Sequence, residues 1–422
     1  MRDQGSYSGG RPVYVVDGLR TPCLKARDKA GPFSAADLAV GAGRALLARQ
    51  TFTPADLDEV LLGCIIPGPK EANIARVVSL RLGCGHAVPA WTVQRNCGSG
   101  MQAIDSAAQA IAFGRAELVL AGGTEAMSHA PVMLPPATVE LLGAWLRAKS
   151  LAERLKLLTH LRGRHFRPVF GLLEGLTDHV VNLSMGQTAE ILARRFNISR
   201  ERMDVFAMQS HQRLALAQKE ERLTEITPLY AGDGRVYTDD DGVRADTTLE
   251  KLAQLKPVFD RPYGLVTAGN SAQVSDGAAL LLLASAGAVD RHGLKVLGRI
   301  VDCEWAGVDP SQMGLGPVHA MAPLLNRQRL GTADIDYWEI NEAFAAQVLA
   351  CQEAWQHADY CRNELGLEQP FAPLPTERLN VDGGAVAVGH PVGTSGARIV
   401  LHLLDVLRRN GARRGIASLC IG

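Results

Sequence analysis

Net charge is the first thing this 422-residue chain lacks: Lys+Arg and Asp+Glu number 44 each. With no field of one sign over the surface, the balance gives no support to nucleic acid or another polyanionic partner. Cysteine is sparse as well. Eight residues with no CxxC pair exclude a disulfide framework, a zinc ribbon and a thioredoxin-like motif, and point to reduced thiols in a reducing compartment. No hydrophobic leader is evident, because Met1 to Arg11 is polar and rich in Gly and Ser, so no secretory signal is expected. The longest apolar stretch, Ala278 to Val289, falls well short of the ~20 residues that span a bilayer. The sequons at Asn182 and Asn197 are therefore read as chance matches. The expected compartment is a bacterial cytoplasm, with the mitochondrial matrix left open.

Hydrophobic residues make up 47% of the chain, ample for two or three domains. Strand-like runs (Val13–Val16, Leu118–Ala121, Leu280–Leu283) alternate with helical spacing over Ala36–Leu47 and Met101–Phe113. That alternation predicts an α/β architecture with largely parallel sheets. A weak internal echo accompanies it. Cys97-Gly98-Ser99-Gly100, a helix and the strand Arg115–Gly123 resemble Gly393-Thr394-Ser395-Gly396, the helix Ala397–Arg409 and the strand Gly415–Cys420. Two related halves would bring equivalent helix N-termini to one shared site.

Between the halves the charge balance breaks. Val139 to Leu173 holds Arg147, Lys149, Arg154, Lys156, Arg162, Arg164 and Arg167 against Glu140 and Glu153. Leu151, Leu155, Leu158 and Leu161 repeat at helical spacing beside Trp145. This reads as a basic amphipathic segment that docks on an anionic membrane or a partner subunit, or as a solvated excursion over the mouth of a site.

Three residues carry the candidate chemistry. Cys97 precedes small residues and a helical pattern, which places it at a helix N-terminus where unpaired N–H groups and the dipole favour thiolate. His390, between Gly389 and Pro391 in a Gly-rich loop, sits on a rigid turn suited to a base that activates a thiol. Cys420 lies in Leu419-Cys420-Ile421-Gly422. Asn341, after the strand-like Tyr337–Ile340, is read either as the holder of an oxyanion-stabilising water or as a helix N-cap. No Gly-Lys-Ser/Thr follows the Gly-rich loop, so it is no phosphate cradle of the Walker type. Asp239-Asp240-Asp241-Gly242 lacks calcium-loop spacing and is read as a turn, and no metal site is expected. Cys23, Cys64, Cys84, Cys303, Cys351 and Cys361 are read as packing residues.

Taken in order, these frames resemble the thiolase family over nearly the whole chain. The landmarks are Arg20-Thr21-Pro22, Gly122-Gly123, Met185-Gly186, Thr267-Ala268-Gly269-Asn270-Ser271, Asn341-Glu342-Ala343-Phe344, Gly389-His390-Pro391 and Cys420-Ile421-Gly422. The resemblance implies the thiolase fold: two βαβαβαββ-like halves in α-β-α-β-α layers. The first half would span 1–128, completed by 258–288; a loop domain would span 129–257 and the second half 289–422. It implies Cys97 as the acyl-accepting nucleophile, His390 as its base and Cys420 as the acid/base at the α-carbon of acetyl-CoA. One oxyanion hole would use His390 and a water on Asn341, the other the N–H groups of Cys97 and Gly422. Ser271, Met185 and Phe344 would contact CoA, a substrate; no cofactor is expected to be permanently bound.

The expected reaction is CoA-dependent cleavage of 3-ketoacyl-CoA in fatty-acid β-oxidation. The alternatives are biosynthetic condensation of two acetyl-CoA or a non-catalytic lipid-binding or scaffolding relative. The basic insertion and the extension Glu353–Arg378 resemble the β subunits of trifunctional complexes, implying a homodimeric core and a hydratase/dehydrogenase α-subunit partner. Departures exist: serine follows Asn270 by one residue where the family's follows by two, and Ser184 stands where many members carry histidine. The family also continues past its second cysteine, so a natural chain longer than Gly422 is expected; a carboxylate at Gly422 would oppose oxyanion formation.

Overall fold

The computed structural model describes residues 6, 7 and 9–422. Its central sheet has seven strands. Along the main path the order is Gly298–Ile300, Val13–Arg20, Ser275–Ala284, Leu118–Ala126, Glu59–Gly63 and Ala90–Val93, with Leu24–Lys25 paired to Ser275–Ala284 off that path. Only Leu118–Ala126, Glu59–Gly63 and Ala90–Val93 are hydrogen-bonded to one another in parallel. Ser275–Ala284 runs against them, pairing antiparallel with Leu118–Ala126 on one side and Val13–Arg20 on the other. The sheet is thus mixed rather than largely parallel. A buried apolar run reads the same in either direction, so the pattern alone could not show which strands reverse.

Both faces of that sheet are covered. Ala35–Leu47, capped by a Ser34/Asp37 capping box, packs its apolar face on one side with Ile74–Arg81. On the other side lie Ser99–Ala112 and Val392–Arg409, which also pack against each other. Val392–Arg409 reaches across to a second sheet, Tyr337–Ile340 parallel to Gly415–Ser418. Gly316–Gln328 and Ala345–Gln356 close that side around Trp338 and Trp355. The result is five layers, with the two helices expected to echo each other lying side by side in the middle one. Helix Val392–Arg409 starts five residues before the expected Ala397, and the final strand ends at Ser418, before Cys420.

The region between the halves is an excursion of short elements. Pro136–Arg147 and Leu151–Leu158 form a helical hairpin, and Leu161 falls beyond the second helix, which stops at Leu158. Among the described residues no helix is long and apolar enough to cross a membrane.

Asp239–Gly242 holds a turn, as expected, but Asp240 does more than turn the chain. It is buried and receives both terminal nitrogens of Arg20, at 2.7 and 2.9 Å, and the Cys23 N–H at 2.7 Å. Arg20 also reaches Glu225 at 3.2 Å, and Glu225 accepts from His402 at 3.0 Å. This buried chain of charges ties the excursion to the central sheet and to the middle-layer helix.

Candidate active site

Cys97 sits just before the N-terminus of Ser99–Ala112, as its small neighbours require. Asn96 holds a left-handed φ of +42° to present it, a conformation asparagine tolerates better than most residues. The turn meets the C-terminal segment directly: a Cβ on Gly98 would lie 2.7 Å from Ile421. The Asn96 amide donates to the carbonyl of Gly422, and the Gly422 N–H donates to the Cys97 sulfur.

The expectation of a resting thiolate needs correction. Burial raises the Cys97 thiol above its ordinary value, outweighing the help of the Gly422 and Cys97 N–H groups. The helix terminus acts locally, whereas desolvation is set by the C-terminal segment folded over the thiol. Cys97 therefore rests as a thiol and needs a base.

His390 lies on the turn before the helix Val392–Arg409, which packs against the helix that follows Cys97. Gly389 takes a φ of +106°, and a Cβ there would run into the Ser275 side chain, so only glycine threads this turn. The His390 N–H donates to the Gln273 carbonyl at 3.0 Å. Its ring is buried, Nδ1 lies 2.7 Å from the Ser395 hydroxyl, and Nε2 has no partner among the described residues. Burial, with a contribution from Arg398, pushes its pKa down to about 4, which leaves a neutral imidazole at physiological pH.

Cys420 is buried just past the strand Gly415–Ser418, and desolvation followed by the charges of Cys97 and Cys351 holds its thiol well above the ordinary value. A thiol so poised gives up a proton only to a strong base such as an enolate.

Asn341 ends the strand Tyr337–Ile340, and its N–H donates to the Ser418 carbonyl at 3.0 Å. It is not a helix N-cap: Phe344 occupies that position before Ala345–Gln356. Both polar atoms of the Asn341 amide are buried without a partner among the described residues. A primary amide left with four unmet hydrogen-bonding valences marks a place for water or substrate.

The three expected CoA contacts divide. Met185 opens a helix, and its sulfur lies where a Cβ on Gly422 would be, so it borders the Cys97 pocket. Phe344 is buried edge-on to Phe259, with ring centroids 5.9 Å apart. The Ser271 hydroxyl donates to Thr267 O at 2.7 Å inside its own turn. A groove of about 700 Å³ lies beside the site, between residues 297–308 and 412–421, but none of Cys97, His390, Cys420 or Asn341 lines it.

Two acids absent from the sequence expectation hold the site together. Glu125 is buried and accepts from the N–H groups of Ile65 (2.9 Å), Ile66 (3.0 Å) and Gly393 (3.0 Å), and Cys64 Sγ lies 3.6 Å away. Cys64, expected only to pack, is thus also a donor. Glu342 accepts from Ser210 (2.6 Å), Asn380 (2.8 Å) and Val386 N (3.2 Å), fixing the residue next to Asn341. Burial raises both carboxyls, so their stability rests on these bonds. A hint was present in the second case, since Glu342 directly follows Asn341.

Two family models and several relatives match this chain over most of its length. Residues 13–287 match the model of the thiolase N-terminal domain and residues 294–422 that of the thiolase C-terminal domain. The chain is 40% identical over 422 residues to 3-ketoacyl-CoA thiolase of Erwinia tasmaniensis, covering 97% of this chain and 96% of that one. It is 35% identical over 416 residues to acetyl-CoA acetyltransferase of Allochromatium vinosum, covering 97% and 96%. The crystal structure of human mitochondrial 3-ketoacyl-CoA thiolase in complex with CoA superposes with a TM-score of 0.82 at 37% identity, over 98% of this chain and 95% of that one.

Proposed function

The chain belongs to the thiolase family of acyltransferases, and on that premise we propose that it cleaves 3-ketoacyl-CoA with CoA to give acetyl-CoA and a shortened acyl-CoA. The observation that carries this reading is the resting trio of thiol, neutral imidazole with Nε2 free, and second thiol.

The steps balance. His390 Nε2 takes the Cys97 proton, and the sulfur attacks the 3-keto carbon. The bond between the 2- and 3-carbons then breaks, leaving an acyl thioester on Cys97 and the enolate of acetyl-CoA. Cys420 protonates that enolate. The incoming CoA thiol attacks the Cys97 thioester, its proton making up the one that Cys420 gave away; the bond from the acyl carbon to Cys97 Sγ breaks, and the departing thiolate recovers its proton from His390. Water on the Asn341 amide with His390 Nε2–H would stabilise one oxyanion, and the N–H groups of Cys97 and Gly422 the other. Met185 and Phe344 would border the pantetheine arm, with Ser271 shaping the loop behind it.

Degradation of medium or long acyl chains is the direction we favour, supported by the insertion over 139–173 and by the likeness to 3-ketoacyl-CoA thiolase. Such a reading carries with it a homodimeric core. The likeness to an acetyl-CoA acetyltransferase supports the second reading, condensation of two acetyl-CoA. Cleavage of 3-ketohexadecanoyl-CoA beside acetoacetyl-CoA, with Cys97→Ala as control, separates them. Preference for the long chain, lost in Cys97→Ala, is expected. Turnover of acetoacetyl-CoA alone would favour the second reading, and turnover surviving in Cys97→Ala would sink both.

A further inference from the structure

The helix Met185–Arg195 carries an acid where its buried face calls for apolar residues. That face is otherwise Gly186, Thr188, Ala189, Leu192 and Ala193, and Glu190 lies among them at 2% exposure. A carboxylate withdrawn from water is costly unless hydrogen bonds satisfy it. Among the described residues its hydrogen-bond partners are two backbone groups: the Leu265 N–H, 2.9 Å from each oxygen, and the Val266 N–H, 2.8 Å from one of them. The chain comes this close because residue 264 is glycine; a Cβ there would collide with the carboxylate.

Glu190 thus grips the entrance of the loop that runs on to Ala272, and further contacts hold the rest. The Asn270 amide donates to Asp204 Oδ1 at 3.0 Å, and its oxygen accepts from the Thr267 N–H at 2.8 Å. Asp204 is buried as well, and Arg200 fixes it at 2.7 Å. The loop then runs against the turn after Asn341. The Ala345 N–H donates to the Asn270 carbonyl and the Ala272 N–H to the Ala343 carbonyl, both at 2.9 Å, with Ser271 opposite Phe344. Glu342 holds that turn separately, through Ser210, Asn380 and Val386. The loop and the Asn341 turn therefore touch but are anchored by different acids.

We infer that Glu190 is a positioning residue for the substrate: its carboxylate fixes the loop 264–272 as the wall against which the pantetheine arm of CoA lies. The inference rests on the reading of Ser271 and its loop given above, and Glu190 itself touches no reacting atom. A carboxylate suits the task because it offers acceptors only, so both oxygens can face N–H groups. Its charge also strengthens such bonds. With an apolar residue in its place, the Leu265 and Val266 N–H groups would be left unpaired inside the protein, and the loop would shift to satisfy them. Asn341, anchored elsewhere, would stay where it is.

The test compares acylation of Cys97 in the full-length protein, without free CoA, by 3-ketohexanoyl-CoA and by the 3-ketohexanoyl thioester of N-acetylcysteamine, which lacks most of the arm. Intact mass at timed intervals reads both rates. The wild type should favour the CoA thioester. In Glu190→Leu that preference should fall at least about tenfold, while the rate with the short thioester changes less than about threefold. Glu190→Gln, which keeps one acceptor, should fall between. Should Glu190→Leu fail to fold, Asp204→Ala, which releases Asn270 on the other side of the loop, carries the same expectation. Equal loss with both thioesters, an unchanged preference, or failure of both variants to fold would make Glu190 merely structural and overturn the proposal. A wild type with no preference between the thioesters would overturn it together with the CoA contacts. A wild type that forms no adduct at all would sink the thiolytic reading from which it starts.

Discussion

His390 Nδ1 lies 2.7 Å from the hydroxyl of Ser395, and that same hydroxyl lies 3.1 Å from the carbonyl of Pro391. A serine has one proton to donate. With that proton on the Pro391 carbonyl, the oxygen accepts from Nδ1–H, and the imidazole is held with its lone pair on Nε2. Ser395 is therefore a positioning residue. In Ser395→Ala we expect kcat to fall about 10–100-fold with KM little changed, and stability to fall by about 1 kcal/mol. Steady-state kinetics beside chemical denaturation checks it; a loss confined to stability would reduce Ser395 to a structural role.

Protonation follows from the same burial. Because His390 is pushed down to about 4, the acid limb of kcat/KM should lie well below the ordinary imidazole value. The raised Cys97 thiol predicts that iodoacetamide alkylation of Cys97 in the free enzyme keeps rising beyond the ordinary thiol pKa. An acid limb at the unperturbed imidazole value, or alkylation already saturated at neutral pH, would mean that the thiolate is pre-formed.

Cys420→Ser separates the two thiols. The variant should still take an acetyl group from acetyl-CoA onto Cys97 but should lose exchange of the acetyl-CoA methyl protons with deuterated water. NMR of the recovered acetyl-CoA reads the exchange and intact protein mass reads the acetyl group. Exchange at the wild-type rate would remove Cys420 from the chemistry.

The buried charges give a stability prediction of definite sign. Glu225 and Asp382 push His402 up to about 10, so its folded pKa exceeds the unfolded value. The resulting stabilisation is complete below the unfolded histidine pKa and declines as pH rises toward 10. Glu225, held well below the carboxylate range by Arg20 and His402, acts oppositely: its contribution is complete above the unfolded carboxylate pKa and is lost in acid. His402→Ala should cost about 3–5 kcal/mol near neutrality by stranding buried carboxylates. It should also flatten the decline of stability on the alkaline side, measured by denaturant melts across pH.

Much of the site was legible because its members sit in short local frames. The glycines around Cys97 and His390 announce close backbone approach, and the order of the frames carries the fold family with it. What stayed hidden depends on distant partners. Glu125 follows Gly122-Gly123-Thr124 and looks like any strand-end acid, yet its donors Ile66 and Gly393 are 59 and 268 residues away. Ser395 was visible only as a helix opener, because its contact with His390 exists once the turn has folded. Asp240 reads locally as one of three acids in a turn, because its partner Arg20 is 220 residues away in the chain. The thiolate expectation at Cys97 failed for the same reason: a dipole is written in the local sequence, whereas desolvation is supplied by the segment ending at Gly422.

The central claim is that Cys97 carries the acyl group. The most direct measurement is intact mass and peptide mapping after mixing the enzyme with 3-ketohexadecanoyl-CoA in the absence of CoA. The account predicts one acyl adduct per chain, mapped to Cys97, with an equal amount of acetyl-CoA released and the adduct discharged on adding CoA. Acetyl-CoA formed without an adduct, or an adduct mapped to Cys420, would contradict it.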